Sequence, residues 1–128
     1  MKITYPSQPD LACANRDLLR RISDRWTLFV GAQLASGPSR FGELARAIPG
    51  ISKKMLAQTL RHLERDGLVA RSVLPTMPVT VEYSLTPLGN TLIAPIQALT
   101  AWTEAHMDEV TEAREHYDHR TLGDHSAT

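Results

Sequence analysis

The 128-residue chain carries 14 basic and 14 acidic side chains, so it has no formal net charge, and 42% of its residues are hydrophobic. This composition is ordinary for a globular protein of one domain, and no apolar run approaches the ~20 residues that a membrane-spanning helix needs. The single cysteine excludes an internal disulfide, and the first residues lack the apolar run of a secretion signal, so we expect a cytoplasmic protein without a membrane partner.

The amino-terminal third predicts an arm followed by two helices. Residues 1–9 contain two prolines and no apolar periodicity, which indicates a flexible arm. Apolar residues at helical spacing then predict a helix over residues 10–22 and another over 24–36. A Gly-Pro pair directly after the second pattern ends it.

The centre of the chain predicts two helices joined by a tight turn. Residues 40–48 have the spacing of a short amphipathic helix, and Pro49-Gly50 breaks it. Residues 53–65 predict a longer helix, because Ser52 can cap its first turn and Gly67 suits the left-handed position at its end.

The carboxyl-terminal half predicts a hairpin and a last helix. Residues 68–74 and 80–85 have the composition of strands, and the proline-containing segment between them is a turn. The last helix is predicted over 86–117, followed by a polar tail at 118–128. Residues 10–117 then form a single winged helix-turn-helix domain, a mainly α fold with a small β-hairpin wing (α+β).

The 53–65 helix has one apolar and one cationic face. Leu56, Leu60 and Leu63 make a narrow stripe suited to burial. Cationic and amide side chains of the kind on the other face bind base edges and phosphates in a DNA major groove. An ordinary solvated basic face is the alternative interpretation. The four side chains near the opposite pole are Lys54, Gln58, Arg61 and Arg65.

Charge is unevenly distributed along this neutral chain. The segment 38–71 has seven basic and three acidic residues, whereas residues 104–128 have seven acidic and two basic ones. A basic segment within a neutral chain indicates one face for a polyanion, although two ordinary solvated surfaces would give the same count.

Several segments together resemble the HxlR-type family of bacterial transcriptional regulators, which are relatives of the MarR group. The resemblance covers about residues 13–106. It implies a homodimeric DNA-binding regulator whose amino- and carboxyl-terminal helices form the dimer interface and whose wing lies at the DNA backbone. The segments that carry it are a cysteine thirteen residues before a tryptophan, WTLFV, PSRFGEL, IPGISKKMLAQTLRHLERDGLV and VEYSLTPLGNTL.

The resemblance also implies the residues of the two interfaces. Asp24 and Thr80 depart from the glycine and the basic residue common in the family, and the wing tip LPTMPVT has no charge. Arg71 at the base of the wing is therefore the remaining basic candidate there. The expected DNA-binding residues are Arg40, Ser52, Lys53, Lys54, Gln58, Arg61 and Arg71. The expected dimer residues are Leu11, Leu18, Leu92, Ile96, Leu99 and Trp102.

Cys13 matches a position that serves as a redox or electrophile sensor in some members of the family. Arg16, three residues further along the predicted helix, could stabilise a thiolate by its charge. The alternative is a small inert residue at the dimer seam. His116 and His119 have a spacing found in metal sites but lie in a polar segment without a set of four ligands, so we expect no metal and no cofactor.

The leading functional prediction is a dimeric transcription factor, acting as a repressor on a near-palindromic operator in double-stranded DNA. Its two recognition helices would enter major grooves about 34 Å apart. A small-molecule or oxidant effector would change the angle between the subunits. The alternative is a winged-helix dimer that binds another protein without specific DNA binding. No phosphate loop, acid-base carboxylate pair or nucleophile with a base indicates an enzyme.

Overall fold

The computed structural model describes the backbone of residues 9–126 and the side chains of residues 13–121. By contact density the chain falls into two compact units, Met1–Ile93 and Ala94–Thr128. Within the described part, no helix combines the length and the apolar character that crossing a bilayer requires.

The predicted fold class, a mainly helical winged helix-turn-helix, is confirmed. Three antiparallel strands form the sheet, in the order β1-β3-β2. The elements in chain order are α1 (Pro9–Ile22), α2 (Arg25–Leu34), β1 (Ser39–Arg40), α3 (Phe41–Ala47), α4 (Lys53–Arg65), β2 (Val69–Leu74), β3 (Thr80–Leu85) and α5 (Pro87–Ser126).

The core of the first unit lies where α2, α3, α4 and β2 meet. Leu56, Leu60 and Leu63 are 0%, 2% and 3% exposed, so the predicted apolar stripe of α4 is the buried one. Burial of each leucine contributes about 1.5–3 kcal/mol, which holds α4 in one orientation. The other buried members of the cluster are Val30, Leu34, Leu44, Ile48, Leu68 and Val69.

Local chemistry sets both ends of α4, as predicted. The Ser52 hydroxyl accepts a hydrogen bond of 3.0 Å from the Met55 amide, which satisfies one of the free N–H groups of the first turn. Gly67 has a φ of 77°, a conformation that favours glycine after a helix end. Because these contacts lie within three residues of each helix end, the sequence predicts the bounds of α4 correctly.

Strand β1 was not predicted. It has only two residues, and it forms by pairing with β3 in the register Ser39 to Tyr83 and Arg40 to Glu82. A two-residue strand has no alternating pattern of its own, so it becomes visible only once its partner, more than 40 residues away, is in place.

The predicted end of the last helix is wrong. Pro87 begins α5, and the Thr86 hydroxyl accepts a hydrogen bond of 3.0 Å from the Gly89 amide, as expected of a cap. However, the helix continues through Ser126 instead of ending at residue 117, so most of the predicted polar tail is helical. A polar composition does not end a helix by itself, and residues 118–122 contain no glycine or proline that would break one.

An ion pair joins α1 to the carboxyl end of α4. Arg21 Nη1 donates to both carboxylate oxygens of Asp66, at 2.9 Å each, and its Nη2 donates to Asp17 at 3.2 Å. The Arg21 and Asp66 side chains are 21% and 17% exposed, so water screens this pair less than an ordinary surface pair. Asp66 is the residue that closes α4, and the pair therefore helps to position that end of the helix.

Candidate nucleic-acid interface

The outward face of α4 is open and cationic. Lys53, Lys54, Gln58 and Arg61 are exposed, and none of their side chains has a hydrogen bond or ion pair with the residues that the structure describes. With its leucines docked in the core, α4 presents these four side chains to solvent. The stripe predicted to be buried is thus buried, and the side chains of the predicted polar face are exposed, namely Lys54, Gln58, Arg61 and Arg65.

Two lysines at the amino-terminal end of α4 are unfavourable for the stability of the helix. The first turn contains Lys53 and Lys54 and no acidic residue. The positive end of a helix dipole disfavours cations there, by roughly 0.3–1 kcal/mol each. The same positive end and the same lysines attract an anion, so a phosphate group at this position would turn an unfavourable arrangement into a favourable one.

The cationic face of α4 lies between two depressions. On one side, a groove of about 320 Å³ between α1, α2 and α4 is lined in part by Arg20, Gln58 and His62. On the other side, a hollow of about 400 Å³ between α4 and the hairpin brings Arg61 and Arg71 together. The predicted DNA-binding residues Gln58 and Arg61 therefore border different depressions, although they lie only about 60° apart around the same helix.

Arg40 occupies a different place from the α4 residues. It precedes α3, where its backbone amide donates a 3.0 Å hydrogen bond to Glu43, and its Nε lies 3.9 Å from the same carboxylate. Its side chain is 65% exposed. An exposed pair of this kind contributes little to stability, so a phosphate can compete with Glu43 for the guanidinium.

The wing tip is ordered by hydroxyl groups and presents apolar side chains. The Thr76 hydroxyl donates to the Pro78 carbonyl at 2.8 Å and lies 2.7 Å from the Thr80 hydroxyl. Met77 at the tip is 97% exposed. Thr80 thus helps to order the wing turn, whereas the basic residue common at this position in the family would supply a positive charge. The other departure, Asp24, caps α2 by accepting a 2.9 Å hydrogen bond from the Trp26 amide.

The predicted dimer residues differ in how much surface they retain. Leu18, Leu99 and Trp102 remain 43%, 53% and 53% exposed in the single chain. Leu92 is half-buried and Ile96 is only 6% exposed, which leaves Ile96 little surface for a second subunit. Leu11 lies outside the residues whose side chains are described.

Cys13 is exposed near the start of α1, so a thiol reagent can reach it in the single chain. Arg16 lies three residues further along the same helix and makes a contact of its own. Among the described residues, no three histidine, cysteine or acidic side chains are grouped so as to hold a metal ion.

The sequence of this domain matches a known family. The model of the HxlR-like helix-turn-helix family matches residues 21–111 of this chain. The chain belongs to the HxlR-like family. The matched region includes every DNA-binding residue predicted above and ends within α5.

Relatives of this HxlR-like protein are helix-turn-helix transcriptional regulators. The chain is 42% identical to YtfH of Escherichia coli over 103 residues, which cover 80% of this chain and 82% of YtfH. It is 43% identical to YodB of Bacillus subtilis over 83 residues, or 65% of this chain and 74% of YodB. The protein is therefore a transcriptional regulator of the helix-turn-helix type.

Solved structures agree with this assignment. The transcriptional regulator ytfH from Salmonella typhimurium superposes with a TM-score of 0.73 at 40% identity, covering 79% of this chain and 90% of that one. The reduced form of the redox regulator HypR gives 0.71 at 34% identity, covering 77% and 98%.

The structure adds site residues that the sequence did not indicate. Glu64 and Tyr83 line the same hollow as Arg61 and Arg71. Tyr83 lies opposite Arg71 in the β2–β3 register. Residues that lie opposite each other on paired strands share one face of the sheet, so a known register would have placed Arg71 and Tyr83 together. The sequence alone does not fix that register, because it does not fix how many residues the wing turn takes.

Proposed function

We propose that this HxlR-like protein is a homodimeric, sequence-specific and non-catalytic DNA-binding regulator that acts as a repressor. The observation that supports it most is the outward face of α4, where Lys54 and Arg61 are exposed and unpaired among the described residues while the leucines of the same helix are buried. A helix held in this way can enter a major groove without rearrangement of the domain.

In the proposed complex, the two copies of α4 enter successive major grooves of a near-palindromic operator. Phosphate contacts supply affinity that depends on salt, and contacts to base edges supply sequence choice. A dimer bound over a promoter represses transcription because it excludes other proteins from that DNA. The residues proposed to contact the operator are Arg40, Ser52, Lys53, Lys54, Gln58, Arg61 and Arg71.

Selection from random double-stranded DNA tests the proposal. We expect wild-type protein to select a site with two half-sites about one helical turn apart and to bind it more weakly as salt is raised. Lys54→Ala is expected to relax the preference at one position of each half-site by ~1–3 kcal/mol if the lysine reads a base edge. Arg114→Ala, which removes a charge from α5, is the matched control and should select the wild-type site.

Binding that is absent, or that does not respond to salt, would contradict the proposed DNA-binding function. It would favour the alternative, a winged-helix dimer that recognises a protein. The observation behind that alternative is the uncharged wing, where Met77 and Val79 are 97% and 64% exposed. Apolar side chains at such exposure are more typical of protein contacts than of phosphate contacts.

We further propose that an oxidant or electrophile controls DNA binding through Cys13. The thiol is exposed, and the structural neighbours include HypR, a redox regulator, and a diamide-treated form of YodB. With one cysteine per chain, oxidation joins two Cys13 thiols from different subunits, or joins Cys13 to a small thiol, and two hydrogens pass to the oxidant.

Treatment with diamide tests this control. We expect a covalent dimer on a non-reducing gel, or a mixed disulfide by mass spectrometry when a small thiol is added, together with a change of DNA affinity that dithiothreitol reverses. Cys13→Ser should bind DNA like the reduced wild type and ignore diamide. If the serine variant responds as the wild type does, Cys13 is not the sensor.

A further inference from the structure

The hollow between α4 and the hairpin is a cationic feature to which the family match assigns no role. It has a volume of about 400 Å³. It lies within the first compact unit, and it is lined from both elements by Ala57, Leu60, Arg61, Glu64, Arg71 and Tyr83.

The strand register explains why Arg71 faces α4. Arg71 lies opposite Tyr83, and Val69 lies opposite Leu85, so these four side chains share one face of the sheet. Val69 is 2% exposed in the core, and Tyr83 and Leu85 pack against that core. Arg71 is therefore the first residue of this face to emerge from the core beside α4.

The helical repeat explains why Arg61 lines the same hollow as Arg71. Arg61 lies about 140° around α4 from the buried Leu56, on the flank that also carries Ala57. The opposite flank, which carries Met55 and His62, lines the groove toward α1 instead. Arg61 thus leans toward the hairpin and away from the centre of the exposed face.

The charges in the hollow favour an anion. Neither guanidinium makes an ion pair within the described part of the chain, and the Tyr83 hydroxyl has no hydrogen bond there. Glu64 is the one acidic residue of the lining. Two fork-shaped guanidinium donors and one hydroxyl donor suit the two free oxygens of a phosphodiester, and the small side chain of Ala57 leaves room for it.

We propose that this hollow holds one backbone phosphate of DNA between Arg61 and Arg71, with Tyr83 as a third donor. The inference rests on the proposed DNA-binding function and assigns Arg61 to the backbone instead of to a base. Sequence choice on α4 then falls to Lys53, Lys54 and Gln58. Since phosphate contacts fix register without reading sequence, Arg61 and Arg71 set the angle at which α4 lies in the groove.

Substitutions in the hollow test the proposal by gel shift and by random-site selection. Arg61→Ala and Arg71→Ala are each expected to weaken binding about tenfold on every sequence, to leave the base preference unchanged, and to lower the slope of log affinity against log salt by about 1. Tyr83→Phe should weaken all sites a few-fold. Glu64→Gln should strengthen all sites a few-fold, because it removes the one repulsive charge. Arg114→Ala is the control for loss of a charge elsewhere.

The possible results separate this site from the wider function. If wild-type protein selects an operator but Arg61→Ala relaxes the preference at one base position, Arg61 reads a base and the phosphate site is wrong while the proposed function stands. If Arg71→Ala changes neither affinity nor salt slope, the site is also wrong. If wild-type protein binds no DNA, both proposals fail. Thermal melting of each variant verifies that a loss of binding is not a loss of fold.

Discussion

Replacement of Trp102 by glutamate is expected to convert the protein to a monomer and to weaken operator binding at least about 100-fold. Leu99 and Trp102 lie three residues apart on one side of α5, and each is 53% exposed. If this face meets a second copy, a buried carboxylate without a partner costs several kcal/mol. A monomer also loses the gain from linked half-sites, which is worth about 10²–10⁴ in affinity.

Light scattering with size-exclusion chromatography measures the first effect, and gel shift on the selected operator measures the second. Ala101→Glu is the matched control, because it places the same charge on α5 about 160° around the helix from Leu99 and about 100° from Trp102. We expect Ala101→Glu to remain dimeric. A Trp102→Glu variant that still forms a dimer with unchanged affinity would show that this face of α5 is not the interface.

Replacement of Gly89 by alanine is expected to lower the free energy of unfolding by about 2–3 kcal/mol. A Cβ at this position would overlap the Leu68 carbonyl oxygen and would lie 3.2 Å from Leu85 Cδ2. The Leu68 carbonyl cannot move away freely, because it accepts a 3.1 Å hydrogen bond from the Thr86 amide. The overlap therefore outweighs the gain of roughly 1 kcal/mol that alanine normally gives over glycine in a helix.

Urea denaturation followed by circular dichroism gives this free energy. Asn90→Ala tests the next residue of α5, which is exposed, and we expect its unfolding free energy to stay within about 0.5 kcal/mol of the wild type. A Gly89→Ala variant as stable as the wild type would mean that the start of α5 does not lie as close to Leu68 as the structure places it.

The extent to which the sequence predicted the site depends on how local the determining contacts are. The bounds and the exposed face of α4 follow from Ser52, Gly67 and the spacing of three leucines, all within one 16-residue segment, and the structure confirms them. The hollow depends on the register of β2 against β3 and on how α4 is rotated about its axis. Both are set by contacts between elements that come together only in the folded chain.

The sequence predicts neither the contacts between distant residues nor the length of α5, for different reasons. Arg21 and Asp66 are 45 residues apart, and many other arginine and aspartate residues could have paired equally well by sequence. Residues 118–126 are polar, and polarity does not distinguish an exposed helix from a frayed end.

The contacts of Arg21 connect α1, which carries Cys13, to the carboxyl end of α4. The Arg21 guanidinium donates hydrogen bonds to Asp17 within α1 and to Asp66, the residue that closes α4. Cys13 and Asp17 lie one turn apart on the same side of α1. A disulfide at Cys13 that shifts α1 would therefore act on the carboxyl end of α4 through this ion pair, at the end of the helix opposite to the turn that Ser52 caps.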